Sequence, residues 1–258
     1  MNADMAKHKT REPFRLPHTE GGRETQATKA YHAIRDRILR CELQPGSVIN
    51  DRVLTEQLGF GRTPIREALL RLSSERLVLF QQNLSIEVAP VGIAEINDLY
   101  TLRLHLERLA WRLWIERASE EQIERLMHCF DSIPALVRDG DIEGLIGLDF
   151  HFHSQVYQEC GNPLLAQSLY NLSGMTYRLW FITNNGDIKA QSAVARAHAP
   201  ILDAVRRKDV QSLDAEIARH IAEAYDRIMN LFMTNTVSQI GGIPIQLLKK
   251  GESYGMRS

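Results

Sequence analysis

Two short amphipathic patterns, "DRVLTEQL" and "TPIREALLRLSSERL", follow each other with only a tight Gly-containing turn at Gly59 between them. This pair constrains the fold more than any other feature. In the second pattern Ile65, Ala68, Leu69 and Leu72 recur at i, i+3, i+4 and i+7, the spacing of one buried helical stripe. Its start carries Thr63, a residue type that caps helices, and Pro64, whose missing N–H costs nothing in the first turn. The stripe turns Arg62 and Arg66 outward at the helix N-terminus. A planar guanidinium there can bond a guanine edge or a phosphate. The spacing alone fits a solvated helix face equally well.

The flanking segments complete a small domain over residues 27–90. "ATKAYHAIRDRILRC" places Ala30, Ile34, Ile38 and Cys41 on one helical face, with Arg35 and Arg37 off it. Pro45-Gly46 marks a turn before a possible short strand at Val48-Ile49. "LVLFQQNLSIEVAP" reads as a hairpin turning at Gln82-Asn83. The pattern is that of a winged helix-turn-helix, in which the second helix of the pair enters the DNA major groove. Arg52, at the start of the preceding helix, is placed to reach the DNA backbone.

After Pro90 the breakers thin out and long helical patterns take over. Helices are expected over 93–118, over 120–140 with Ser119 as cap, over 141–161, from Asn162-Pro163 to 181, and over 194–209 and 210–232. The fold class expected is mainly α: an N-terminal winged helix-turn-helix joined to an all-α antiparallel bundle over 91–233. Residues 1–26 are polar and aperiodic and read as disordered, and 234–258 read as a tail.

The 258 residues are 44% hydrophobic and 24% charged, ordinary values for a packed globular chain. No run reaches the ~20 apolar residues a bilayer-spanning helix needs, and the N-terminus has no apolar leader, so a cytoplasmic location away from membranes is expected. Three cysteines, Cys41, Cys129 and Cys160, with no CxxC spacing argue against a disulfide framework or zinc ribbon. Residues 1–90 carry 14 Lys/Arg against 11 Asp/Glu, while the rest carry 17 against 21. That asymmetry is slight, and it matters only where the basic residues share a surface.

"LTEQLGFGRTPIREALLRLSSERLV", with "ILRCELQPGSVI" before it, resembles the helix-turn-helix signature of GntR-type bacterial transcription regulators. The likeness covers residues 27–90. It implies DNA contact by Arg52, Arg62, Thr63 and Arg66. The chain departs from the usual pattern at Phe60-Gly61, which replaces Val-Ser, and at Arg76, which replaces Gly. It also lacks the glycine usual at the wing tip, where Asn83 stands.

A second group of residues lies in the helical half. Asp149 and His153 are i and i+4 on one helix, and His198 and His220 lie beside apolar stripes on two others. Three imidazoles and a carboxylate suit a borderline divalent cation such as Zn²⁺, Ni²⁺ or Mn²⁺. Each histidine by itself equally fits a satisfied core position, and His151 points away from His153. Residues 95–232 resemble the FCD effector domain of the FadR-like branch of the GntR family. "DFHFH" at 149–153, "GNPLL" at 161–165, "AHAPILDAV" around His198 and "RHIAEAY" around His220 carry the likeness. Ala197 stands where the family has Glu, and Pro200 falls inside the expected helix.

The resemblance implies a metal bound by Asp149, His153, His198 and His220 that takes the carboxylate of a small organic or sugar acid. Arg103 stands at a position where it can pair with that carboxylate, or with Glu107 one turn on, and Arg178 and Trp180 could line the same cavity. The expected whole is an effector-responsive repressor, a homodimer on a palindromic operator in double-stranded DNA. A metal-dependent all-α enzyme and a regulator with a purely structural metal are the competing readings.

Overall fold

The structure, a computed structural model, describes residues 24–81, 85–183 and 197–239. The expected disordered segment up to residue 23, the wing tip at Asn83 and most of the expected tail lie outside the described residues.

The first domain opens with α1 (Gln26–Leu39), whose N-cap Thr25 accepts from the Thr28 N–H. Then come β1 (Val48–Ile49), α2 (Asp51–Leu58), α3 (Arg62–Ser74), β2 (Val78–Phe80) and β3 (Ile86–Val88). The strands form an antiparallel sheet in the order β1-β3-β2, with Val78 opposite Val88 and Phe80 opposite Ile86. Asn50 caps α2 by accepting from the N–H groups of Arg52 and Val53. Gly59 ends it at φ 69°, the left-handed region that a residue without a Cβ enters freely. Ile65, Ala68, Leu69 and Leu72 are fully buried, as their spacing requires.

Two local readings are corrected here. The N-cap of α3 is Gly61, so Arg62 is the first helical residue, and Thr63 and Pro64 follow inside the first turn. Thr63 therefore does not cap; its exposed hydroxyl is available to something outside the chain. Arg35, expected off the buried face of α1, is 0% exposed because the helical domain covers that side of the helix. Cys41 lies beyond α1 in a turn at φ 58° rather than on its stripe.

The second domain comprises α4 (Ile93–Ile115), α5 (Glu120–Met127), α6 (Ile133–Arg138), α7 (Ile142–Glu159), α8 (Pro163–Thr183), α9 (Ala199–Arg206) and α10 (Val210–Gln239). Helix α4 packs along α10 and α8, α7 packs on α8 and α4, and α9 packs on α10. The single helix expected over 120–140 is two. The chain breaks after Met127, and α6 restarts with Pro134 in its first turn, the one part of a helix where a residue without an N–H fits. Pro200 likewise sits in the first turn of α9, with His198 as the N-cap, rather than inside a longer helix. Helix α10 continues to Gln239, past the point where the tail was expected to start.

Candidate functional site

The exposed side of α3 forms the candidate nucleic-acid interface. Arg62, Thr63 and Arg66 are all solvent-exposed beside the helix N-terminus, whose positive dipole end favours an anionic partner. Arg52, on α2, has a largely exposed side chain whose Nε lies 3.1 Å from Glu56 Oε1. So weak a surface pair leaves the guanidinium free to be recruited by a phosphate. Phe60, in the turn, packs against the domain core and so braces the approach to Arg62.

The second site is buried among α4, α7, α9 and α10. Asp149 and His153 project from α7, His198 from the N-cap of α9, and His220 from α10. Their four ligand atoms all lie within 4.8 Å of one another. Nε2 of His198 is 3.2 Å from Nε2 of His153 and 3.3 Å from Oδ1 of Asp149. Ligands on one ion at bond lengths near 2.1 Å stand about 3–3.5 Å apart when adjacent. The three imidazoles are 0–5% exposed, and Phe130, tilted, and Phe152, edge-on, pack against His198.

The donor set fits a divalent cation on two counts. Asp149 Oδ1 is buried and makes no hydrogen bond, a costly state for a carboxylate oxygen unless a cation completes it. Burial, with the neighbouring His198 and His153, also holds the His220 imidazole well below its ordinary pKa, in the neutral form a metal ligand must have. His151, on the same helix, is exposed and outside the cluster.

Behind His153 lies a residue that the sequence offered only as a possible partner of Arg103. Glu107, fully buried on α4, has Oε2 2.9 Å from His153 Nδ1, and its Oε1 accepts from Arg103 Nε at 3.0 Å. Burial alone would raise the Glu107 carboxyl; the flanking His153 and Arg103 outweigh it and hold it well below the usual carboxylate range. A carboxylate behind a ligating imidazole fixes the ring and raises its basicity. The Arg103–Glu107 pair was legible at i, i+4. The Glu107–His153 contact depends on how α7 lies on α4, which no local pattern encodes.

A cavity opens beside the cluster, and Arg103, Asp149 and His153 stand in its lining. Tyr157, one turn beyond His153 on α7, and Ser173, Thr176, Tyr177 and Trp180 of α8 line it as well, so it combines hydroxyls with aromatic rings. Two of the three expected effector residues, Arg103 and Trp180, line it.

Arg178 does not. It points from α8 toward the winged-helix domain, where Nη2 donates to the Ala89 carbonyl at 2.6 Å and the guanidinium faces the Cys41 thiol. Residues of a helix two apart lie on opposite sides, which is why Arg178 and Trp180 part company. Arg35 of α1 meets α8 as well, donating to Tyr170 Oη at 3.2 Å and pairing with Glu75 at 3.3 Å.

An exposed arginine-bearing helix in a winged helix-turn-helix, set on a bundle with a metal-competent cavity, defines a DNA-binding regulator with a sensor domain. Comparison with known proteins agrees. Residues 26–88 match the family described as bacterial regulatory proteins, gntR family, and residues 98–223 match the FCD domain. The chain belongs to the GntR family of bacterial transcription regulators, with an FCD effector domain. It is 24% identical over 192 residues to the uncharacterized HTH-type transcriptional regulator YdhC of Bacillus subtilis, covering 74% of this chain and 85% of that one. It is 28% identical over 130 residues to the HTH-type transcriptional regulator McbR of Escherichia coli, covering 50% and 59%. The solved structure of E. coli McbR/YncC shares the fold at a TM-score of 0.70 and 21% identity, over 81% of this chain and 99% of that one. No helix among the described residues is long and apolar enough to cross a membrane.

Proposed function

We propose that the protein is a cytoplasmic repressor whose operator affinity is set by a small organic or sugar acid bound at a metal in the helical domain. The observation that carries this reading is the meeting of the Asp149, His153, His198 and His220 cluster with the cavity. A divalent ion, Zn²⁺, Ni²⁺ or Mn²⁺, held by these four residues would offer an open coordination position to a carboxylate. Arg103, steadied by Glu107, and Trp180 then orient the rest of the acid. Arg62, Thr63 and Arg66 read the operator, and Arg52 positions the domain on the backbone.

An effector switches DNA binding only where it favours one arrangement of the chain over another. Helix α8 supplies the link: Thr176, Tyr177 and Trp180 face the cavity while Tyr170 and Arg178 hold the winged-helix domain. A sensor is favoured over a metal-dependent enzyme because the carboxylate nearest the cluster, Glu107, is already engaged by Arg103 and His153 and is not free to act as a general base.

A homodimer on a palindromic operator fits the outer face of α4. There Leu102 (51% exposed) and Leu109 (41%) continue a stripe with the half-buried Leu106 and Leu113.

His198→Ala tests the central claim. The expected outcome is loss of the metal and of effector response, with operator binding and folding retained. Unchanged effector response by metal-free protein would reduce the ion to a structural brace. Turnover of a carboxylate by metal-loaded protein would establish the enzyme instead.

A further inference from the structure

Every arginine on α4 and α10 but one has an acidic partner among the described residues. Arg103 pairs with Glu107, Arg108 and Arg112 with Asp214, and Arg219 with Glu216 and Glu223. Arg227 is the exception. It is half-buried on α10, seven residues beyond His220, and so projects from the same face of the helix about 10 Å further along. Its guanidinium carbon lies 6.0 Å from the ring centroid of Trp180, which lines the cavity. It is also close enough to His220 and Tyr100 for its charge to act on both. At 6.0 Å the ring contact stands at the outer limit of a cation–π interaction, so stacking does not account for a cation with no anion beside it among the described residues.

The charges around the cavity make the same point. Two carboxylates, Asp149 and Glu107, offset two guanidinium groups, Arg103 and Arg227. The charge of a divalent ion in the cluster is then left for the effector to neutralise, and partly buried charge is costly without a counter-charge. A monocarboxylate would leave the site positive; a dianion would close it. The hydroxyls of Ser173 and Thr176 stand in the wall of the cavity, placed to meet the polar parts of such a ligand.

We infer that the effector is a small dicarboxylate, with one carboxylate at the Asp149, His153, His198 and His220 cluster and the second on Arg227. This rests on the reading that the cluster holds a divalent ion which accepts a carboxylate, and it adds the effector's charge and the residue that selects it.

The test uses the full-length, metal-loaded protein and two straight-chain series: dicarboxylates from malonate to adipate, and the monocarboxylates of matching length. Calorimetry and the thermal midpoint report binding. The expected result is a dicarboxylate bound at least about tenfold more tightly than its monocarboxylate counterpart, a preference that Arg227→Gln removes and Arg227→Lys partly keeps. Monocarboxylate affinity should be the same in wild type and Arg227→Gln, which also shows that the variant folds. Equal affinity for the two series, or a dicarboxylate preference that survives Arg227→Gln, overturns the role of Arg227 and leaves the metal site standing. Failure of both series to bind the metal-loaded wild type, or binding that His198→Ala leaves unchanged, overturns the underlying reading instead.

Discussion

Arg76 holds a backbone φ of 57° just after α3, a conformation that costs a residue with a Cβ roughly 1–2 kcal/mol. Its side chain is exposed, so nothing evident in the packing offsets that cost. Arg76→Gly should therefore stabilise the protein by about 1 kcal/mol, somewhat less than the strain because glycine also loosens the unfolded chain. A urea titration should show a higher midpoint at unchanged slope. Arg66 answers to a different measurement. Arg66→Ala should weaken specific operator binding by about 1–3 kcal/mol, read by fluorescence anisotropy, while calorimetric effector affinity stays at the wild-type value. Preserved specific binding would remove α3 as the reading helix. The outward aim of Arg66 was legible in the sequence because the buried stripe of Ile65, Ala68 and Leu69 lies on its own helix. The inward aim of Arg35 was not, because the surface that buries it, Tyr170 on α8, is 135 residues away.

Among the elements, α8 is the one that carries communication in the proposed switch. Its cavity face and its winged-helix face are two sides of one rigid helix, so an acid that shifts Trp180 must also shift Arg178. Arg178→Gln should keep effector affinity within about twofold of wild type yet lose effector-driven release from DNA, since the variant cannot hold the Ala89 carbonyl as Arg178 does. Parallel effector and operator titrations separate those two quantities. Helix existence was readable for the long elements, since long 3.6-residue patterns survive any packing arrangement, but the short α6 was merged with α5. Helix limits were less so. The stop at Met127 and the late start at Ala199 follow from prolines that were visible, but placing Pro134 and Pro200 in first turns needs the tertiary contacts that pin each helix. The order of Asp149, His153, His198 and His220 was legible from their resemblance to the FCD pattern, and the fold brings the four together, whereas Glu107 meets His153 and Arg227 comes near Trp180 only through the packing of α4 and α10.

At the scale of the whole molecule, the proposed homodimer closes on the leucine stripe of α4. Replacing Leu102 and Leu109 together with glutamate should convert the dimer to monomer by sedimentation. Operator affinity should fall by more than about tenfold, because two linked half-site contacts become separate bimolecular events. A dimer that persists would locate the two-fold contact elsewhere.

Gly174 bears on this assembly in a further way. A Cβ built there would run into Nη2 of Arg35, which is fully buried and bonded to Glu75 and Tyr170, so it could move only by breaking those bonds. The missing methyl group leaves room for α1 of the reading head to lie close against α8 of its own bundle. In a two-fold pair, the seat of each head on its bundle would bear on how many base pairs separate the heads, so the operator spacer would answer to Gly174 as well as to the exposed arginines of α3.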